Sequence, residues 1–346
     1  MRIKVSYLRV ILFILLSIIF LAIAVGCRPD FVGSDTKNYI LLYTHSLTMD
    51  TLNTQYGALF NFFSSIFFYL HLSSASFFTF ISLINFCSLG LIAFKLHKYL
   101  ELESSVFFTF LLLLACLSFS PFYYSVQINV IRQGTATISL LLFFLLLLCR
   151  NGPLPLIATA LFAFGFHKTT IIYLFFSVLT FFSYSFVSIT TFVLAFFYVV
   201  GLTKKSFFWL SQNTPIDLYD KIYSYGLTAG YNSGNRIDFT CFTIFSGLLF
   251  FIIGKYFLSD INQKKFFQLL KIYWILTIPF FLMGFAAFAD RYLLPAWFYL
   301  SILSTALLLF IMPKSTLITK FVCLVFLCSM MVFYVVVQGL YNMLPF

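Results

Sequence analysis

The sequence predicts an all-α polytopic integral membrane protein, and three observations carry the prediction. The chain of 346 residues is 62% hydrophobic, and only 9% of its residues are charged. Soluble globular domains average about 25% charged residues, so this much apolar surface cannot be enclosed in a water-soluble shell. Apolar runs of about 20 residues, the length that crosses a bilayer as a helix, also recur along the whole chain.

About eleven such runs are candidate transmembrane helices. The first follows Arg2, Lys4 and Arg9 and looks like a secretory or lipoprotein signal. Because many further spans follow it, we expect no cleavage at Cys27 and a first helix whose N-terminus is cytoplasmic. The predicted spans cover residues 8–26, 75–94, 105–124, 135–149, 153–166, 169–184, 186–202, 238–258, 266–288, 292–311 and 317–340.

The distribution of lysine and arginine, which mark cytoplasmic loops, gives the predicted topology. Lys95–Lys98 should be cytoplasmic, whereas residues 27–56 follow the first helix and should form an outer loop. An odd number of spans must separate the outer residues 27–56 from the cytoplasmic Lys95–Lys98. The short run 57–72 is therefore predicted to be an interfacial or re-entrant helix and not a span. Residues 203–237 become a large outer loop, and 1–346 a single transmembrane helical domain. Several further basic positions are predicted to be cytoplasmic: Arg150, Lys255, Lys264, Lys265, Lys271, Lys314 and Lys320.

Neither a metal nor a cofactor is predicted. The seven cysteines are scattered, mostly inside apolar runs, and are interpreted as small hydrophobic residues. P-loop, GxGxxG and CxxC patterns are absent. We attribute the net charge of +11 to the membrane topology and predict no nucleic-acid partner.

Four arginines remain on the predicted outer side, where they should be depleted. Each lies at or near a helix end: Arg28, Arg132, Arg236 and Arg291. A guanidinium binds a phosphate through two parallel hydrogen bonds, so cations kept on this side indicate an anion site. The alternative is a structural role in pairs with acidic neighbours: Asp30, Asp238 and Asp290.

Four motifs on the predicted outer side occur in a recognisable order. They read "RPDFVGSDTKNYILLY" at 28–43, "NVIRQGTATISLLLFF" at 129–144, "FGFHKTTIIYL" at 164–174 and "FADRYLLPAWF" at 288–298. This succession resembles the EpsG family, the Wzy-like polymerases of bacterial exopolysaccharide and O-antigen. The resemblance covers most of the chain, but an acidic "E-P" stretch usual in the family is replaced here by "TLNTQYGALFNFF" at 51–63.

The resemblance implies the GT-C-like architecture of Wzy polymerases and ligases and an activity at the outer face of the bacterial cytoplasmic (inner) membrane. Such enzymes transfer a growing saccharide from undecaprenyl diphosphate to the next lipid-linked repeat unit and release the lipid diphosphate. The implied partners are the undecaprenyl-diphosphate-linked oligosaccharide and the lipid bilayer. A chain-length regulator and a flippase are further candidates.

Residues at the motif positions suit this chemistry. His167 is the first candidate for the base that takes the acceptor proton, because imidazole titrates nearest neutral pH, and Asp35 is the alternative. Arg132, which opens a predicted helix, would bind the leaving diphosphate. The same role is predicted for Arg291, Arg236 and Lys168. Candidate saccharide-binding residues are polar or aromatic: Tyr39, Asn129, Gln133, Tyr223, Tyr225 and Tyr231.

Other interpretations stay open at this stage. A flippase or transporter would carry charges along a path through the membrane, whereas these charges cluster at one end. The sequence hardly separates a polymerase from a ligase or another transferase that uses lipid-linked sugars. A membrane acyltransferase would need a basic cytoplasmic mouth around a histidine, which this sequence lacks. His167 could simply cap a helix while Lys168 extends to lipid headgroups. Residues 203–237 suit either a flap over the saccharide or an interfacial aromatic belt.

Overall fold

The computed structural model describes residues 5–45, 57–214, 219, 234–286, 288–312 and 316–339. Every regular element in these ranges is helical, as the composition predicted. The contacts divide the chain into two compact units. Unit 1 comprises Met1–Lys98, Glu103–Thr170 and Lys314–Phe346, and unit 2 comprises Tyr99–Leu102 and Ile171–Pro313. The prediction of a single transmembrane domain stays a prediction.

The described residues of unit 1 form nine α-helices, in whole or in large part, and a π-helical turn at Ser125–Asn129. Its helices are α1 (Val5–Gly26), α2 (Thr36–His45), α3 (Ala58–Tyr69), α4 (Ser74–Leu100), α5 (Val106–Ser118), α6 (Pro121–Tyr124), α7 (Ile131–Leu148), α8 (Pro153–Phe166) and α15 (Thr316–Val337).

The described part of unit 2 contains α9 (Thr170–Phe176), α10 (Tyr184–Val199), α11 (Leu202–Asn213), α12 (Ile237–Phe257), α13 (Asp260–Met283) and α14 (Ala289–Ile311). A short 3₁₀ helix at Ser177–Phe181 follows α9, whose first residue belongs to unit 1. The core of unit 2 is α13, whose buried Lys271 donates from Nζ to the carbonyls of Thr180 (2.7 Å) and Phe182 (3.0 Å).

Six of the described helices are long and apolar enough to cross a membrane, and two bent pairs raise the number to eight if each pair is one span. The chain is therefore a polytopic helical membrane protein. The difference from eleven comes mainly from short helices. The predicted span 153–166 is the 14-residue α8, which is about 21 Å long, and the predicted span 169–184 begins with a seven-residue α-helix and a five-residue 3₁₀ helix. The total of eleven, the side of the N-terminus and the re-entrant assignment of 57–72 stay predictions.

A different hydrogen bond joins the helices at each of the two ends of unit 1. At one end, Nζ of Lys95 donates to Oδ1 of Asn151 at 2.7 Å, which joins α4 to the α7–α8 connection. At the other end, Nε2 of Gln338 donates to the carbonyl of Ala24 at 3.0 Å. The first contact joins residues predicted to be cytoplasmic, and the second joins the predicted outer ends of the first and last spans.

Candidate functional site

The centre of the candidate site is a break in the helix path before α7. The segment Pro121–Asn129 turns by 92° from α5 and ends in the π-helical turn. Val130 then leaves helical geometry, with φ −99° and ψ 51°, and α7 starts at the next residue. Single π-helical turns occur frequently at functional sites because they displace side chains from regular helix positions. Asn129, Arg132 and Gln133 all lie within four residues of this break.

The loop after α1 docks onto the same break through Arg28. Its guanidinium donates to the carbonyls of Val25 (2.7 Å) and Ile128 (3.3 Å) and to Oγ1 of Thr36 (3.2 Å). It also lies 4.7 Å from the ring centroid of Phe78. Burial lowers the pKa of Arg28 to about 10, although the nearby Tyr39 opposes the shift. Arg28 therefore stays charged at neutral pH and holds backbone carbonyls, whereas the structural alternative predicted a pair with Asp30, which lies 3.9 Å from Lys37.

A second contact fixes the same loop beside Asn129. The backbone N–H of Ser34 donates to Oδ1 of Asn129 at 2.9 Å. Gly33 has φ +90°, and a Cβ there would lie 2.7 Å from that oxygen, so this approach requires glycine. Asp35 follows directly, immediately before α2, and its carbonyl accepts from the N–H of Tyr39 at 3.0 Å. The contact between Ser34 and Asn129 thus holds Asp35 near the start of α7, and it uses the side-chain oxygen of Asn129.

Two aromatic rings lie against Arg132. Its guanidinium carbon is 5.8 Å from the ring centroids of both Tyr39 and Phe60. The rings themselves are 5.9 Å apart and almost fully buried. Arg132 is the second residue of α7 and is only partly exposed. Ring faces attract a guanidinium through cation–π interactions, so the two rings stabilise Arg132 in this position.

The "FGFHK" motif reaches the same hydrophobic cluster from α8. Phe166 is the last residue of that helix and is fully buried in the cluster that also contains Tyr39, Phe60 and Ile131. His167 follows in extended conformation, with φ −151° and ψ 114°. Its carbonyl accepts from the N–H of Thr170 at 3.1 Å and from Oγ1 of Thr170 at 2.8 Å. The main chain of His167 is therefore fixed beside the cluster, with Lys168 exposed next to it.

The start of α3 is packed directly on this motif. A Cβ at Gly57 would lie 2.2 Å from the carbonyl oxygen of Phe166 and 2.4 Å from that of Gly165. The ring of Phe63, one and a half turns further along α3, stacks on Phe166 at 6.1 Å. The position of His167 therefore depends on α3, a relation that no spacing in the sequence indicates.

Three of the four motifs are thus brought together in unit 1. The antiparallel α7 and α8 are in extensive contact and carry Arg132 and His167 at the same end. Because α7 has 18 residues, about 27 Å, this end is remote from Lys95 and Asn151. We call it the motif end of unit 1.

A buried polar group beneath the motif end was missed by the sequence analysis. Oε1 of Gln127 in the π-helical turn accepts from Nδ2 of Asn85 (3.3 Å) and from Oγ of Ser82 (3.4 Å). All three side chains are about 1% exposed. The signal was present in the sequence, because an amide inside an apolar run is costly unless it has a partner.

The two other predicted arginines belong to unit 2. Arg236 makes two hydrogen bonds to Asp238, at 2.9 and 2.5 Å, and lies 3.7 Å from the ring centroid of Phe239. This pair matches the structural alternative for Arg236. Arg291, on the first turn of α14, lies 4.1 Å from the ring centroid of Phe288. The predicted saccharide-binding residues of the large outer loop fall outside the described residues: Tyr223, Tyr225 and Tyr231.

No group of three His, Cys, Asp or Glu side chains that could hold a metal ion occurs among the described residues. All seven cysteines lie in the described part and are free thiols. The motif end carries an arginine, a histidine, a lysine and an aspartate at the predicted site positions: Arg132, His167, Lys168 and Asp35.

Comparison with known proteins identifies the family. The family model described as EpsG family matches residues 11–346, nearly the whole chain. No curated protein and no solved structure matches. The order of the motifs, the helical membrane fold and the family match agree, and the chain belongs to the EpsG family, whose members are Wzy-like polymerases.

Proposed function

We propose that the protein polymerises a bacterial polysaccharide from repeat units carried on undecaprenyl diphosphate, at the outer face of the cytoplasmic (inner) membrane. The observation that carries the proposal is the gathering of three family motifs at the motif end of unit 1, at the opposite end of α7 from the Lys95–Asn151 contact. The finer topology, with about eleven spans and a cytoplasmic N-terminus, belongs to the same proposal.

The reaction joins a saccharide to an acceptor sugar hydroxyl. The hydroxyl oxygen bonds to the anomeric carbon of the growing chain while the bond from that carbon to the diphosphate oxygen breaks. The hydroxyl proton passes to a base on the protein, and undecaprenyl diphosphate leaves with the bonding electron pair. Negative charge therefore grows on the diphosphate as the reaction proceeds, and a fixed cation accelerates the step by stabilising that charge.

Arg132 is the residue that we assign to the leaving group. Its guanidinium lies against the rings of Tyr39 and Phe60, which restrict its orientation. It lies in the first turn of an 18-residue helix, where backbone N–H groups and the helix dipole also favour an anion. Lys168, exposed beside His167, would add a second cation for the same diphosphate.

His167 is the residue that we assign as the base, with Asp35 as the alternative. The fixed main chain of His167 restricts where the imidazole projects, and a positioned general base contributes about 10²–10⁴-fold to rate. Asp35 lies in the loop between α1 and α2, which the contact between Ser34 and Asn129 holds in place. Tyr39, Asn129 and Gln133 are proposed to contact a sugar, because Tyr39 lies against Arg132, Asn129 holds the loop that carries Asp35, and Gln133 follows Arg132 in α7.

The predicted site residues outside the motif end of unit 1 are also proposed to bind the substrate. Arg291 and Arg236 are proposed to bind phosphate groups of the lipid-linked substrate, although Arg236 would first have to exchange its contact with Asp238. Tyr223, Tyr225 and Tyr231 are proposed to contact sugar rings. A chain-length regulator and a flippase are proposed as protein partners of the system.

Reconstitution distinguishes this function from its competitors. Purified protein in liposomes would receive a lipid-linked repeat unit as the sole saccharide. A polymerase produces a ladder of longer lipid-linked chains and one released undecaprenyl diphosphate for each new glycosidic bond. A flippase would move the unit across the bilayer without lengthening it, and a ligase would need a different acceptor. Movement without new bonds would therefore refute the proposed function.

A further inference from the structure

Helix α11 has a different character from the spans around it. The chain turns by 79° between α10 and α11, at Gly201, which has φ +76°. The 12 residues of α11 include Lys204 and Lys205 and no acidic residue. One side is packed inward, where Thr203 is buried and the ring of Phe207 lies 5.8 Å from that of Phe285. The other side is exposed.

The exposed side of α11 combines apolar, aromatic and cationic groups. Leu202, Lys205 and Trp209 follow the spacing of three and four residues that places side chains on one helix face. An open cavity of about 520 Å³ lies on this face and is lined by Leu202, Lys205, Ser206, Phe207, Trp209 and Leu210. A lysine, a hydroxyl and an indole N–H beside apolar side chains suit a phosphate attached to hydrocarbon.

The neighbouring surface indicates what covers this face. The exposed apolar residues of α10 continue to its last turn and directly into α11: Phe192, Phe196, Phe197, Val199, Val200 and Leu202. In a polytopic membrane protein such a surface contacts lipid tails. A helix that turns through 79° from that surface, with tryptophan and lysine on its exposed side, is typical of the lipid headgroup layer.

We propose that α11 lies in the headgroup layer of the membrane and that its cavity binds the phosphate of an anionic phospholipid through Lys205. Trp209 marks the depth of the helix, and Leu202 and Leu210 contact the upper part of the acyl chains. The inference requires only that the protein spans a membrane, so it stands or fails independently of the proposed polymerase activity.

Tryptophan fluorescence tests this proposal directly in the full-length protein. Trp209 is 64% exposed, whereas Trp274 and Trp297 are 1% and 6% exposed. Subtracting the emission of Trp209→Phe from that of the parent isolates the signal of Trp209. In nanodiscs, phospholipids brominated near the carbonyl end of the chain should remove most of this signal, and aqueous iodide should remove little. Strong quenching by iodide without quenching by brominated lipid would place α11 in water and overturn the proposal.

Two further arms test the occupant of the cavity. Brominated anionic phospholipid should quench Trp209 more than its zwitterionic counterpart, and Lys205→Gln should abolish that preference. Lys204→Gln is the matched control, because Lys204 is adjacent but does not line the cavity; it should retain the preference. An unchanged preference in Lys205→Gln overturns the phosphate contact. Relief of quenching by a small amount of undecaprenyl diphosphate overturns the phospholipid as occupant in favour of the polyprenyl lipid.

Discussion

Replacing Gly57 by alanine should displace the start of α3 from the "FGFHK" motif. The added Cβ would lie 2.2 Å from the Phe166 carbonyl oxygen, whereas ordinary contact begins at 3.4 Å, so the segments must separate by about 1.2 Å. The obstacles are backbone atoms, which cannot rotate away. Overpacking of this kind costs about 1–3 kcal/mol, and a misplacement of about 1 Å near reacting groups can cost about 10²-fold in rate.

Gly152→Ala is a closely matched control for this change. Gly57 and Gly152 both occupy the N-cap position of a helix in extended conformation, and neither makes a side-chain cap. A Cβ at Gly152 would meet nothing within 4 Å. Both variants share the small cost of alanine at an N-cap and the entropic gain of losing a glycine, so their difference isolates the steric clash.

The assay measures polymer length and thermal inactivation at equal protein abundance in the membrane. We expect Gly57→Ala to inactivate at a lower temperature than Gly152→Ala and to lose most long polymer, because His167 moves with the end of α8. Equal stability and equal polymer in the two variants would refute the packing of α3 on the motif and its role in positioning His167.

Three further predictions address the base, the buried amides and the topology. His167→Gln retains the main-chain contacts to Thr170 but cannot accept the proton, so it should lose about 10²–10⁴-fold in rate and accumulate lipid-linked single units; near-parental polymer in this variant would leave Asp35 as the base. Gln127→Leu should destabilise the protein by about 1–3 kcal/mol because Asn85 loses its partner, and adding Asn85→Leu should restore part of that loss in thermal unfolding; a purely additive double variant contradicts the coupling. Impermeant thiol reagents should label Lys37→Cys but not Lys98→Cys from outside the cell, and labelling of the latter contradicts the proposed topology.

Hydropathy was sufficient to predict the fold class, because a chain this apolar can fold only with its helices in a bilayer. It was less informative about individual helices. Residues 105–124 form one apolar run, yet the helix ends at Ser118 and the chain turns by 92°. Hydropathy averages over a window and cannot register a π-helical turn whose partners, Ser82 and Asn85, come from a distant helix.

The sequence was likewise informative about some features of the candidate site and not about others. The family motifs predict which segments form the site, and the structure brings three of these segments together around Phe166, Tyr39 and Phe60. Sequence alone did not separate the arginines from one another. Arg28 holds backbone carbonyls and Arg236 holds Asp238, whereas Arg132 lies against two rings. These differences arise from long-range packing, such as the docking of Ser34 on Asn129, that local patterns do not encode.

The most direct test of the central claim is the rate of undecaprenyl diphosphate release by reconstituted Arg132→Lys. Lysine keeps the positive charge but loses the two-pronged geometry that matches a diphosphate. Removing one preorganised group that stabilises developing charge typically costs about 10²–10³-fold in turnover. The account predicts a loss of that size, with normal protein abundance and an unchanged temperature of thermal inactivation. Parental rates of release from Arg132→Lys and Arg132→Ala alike would contradict the assignment of the leaving-group site to the motif end of unit 1.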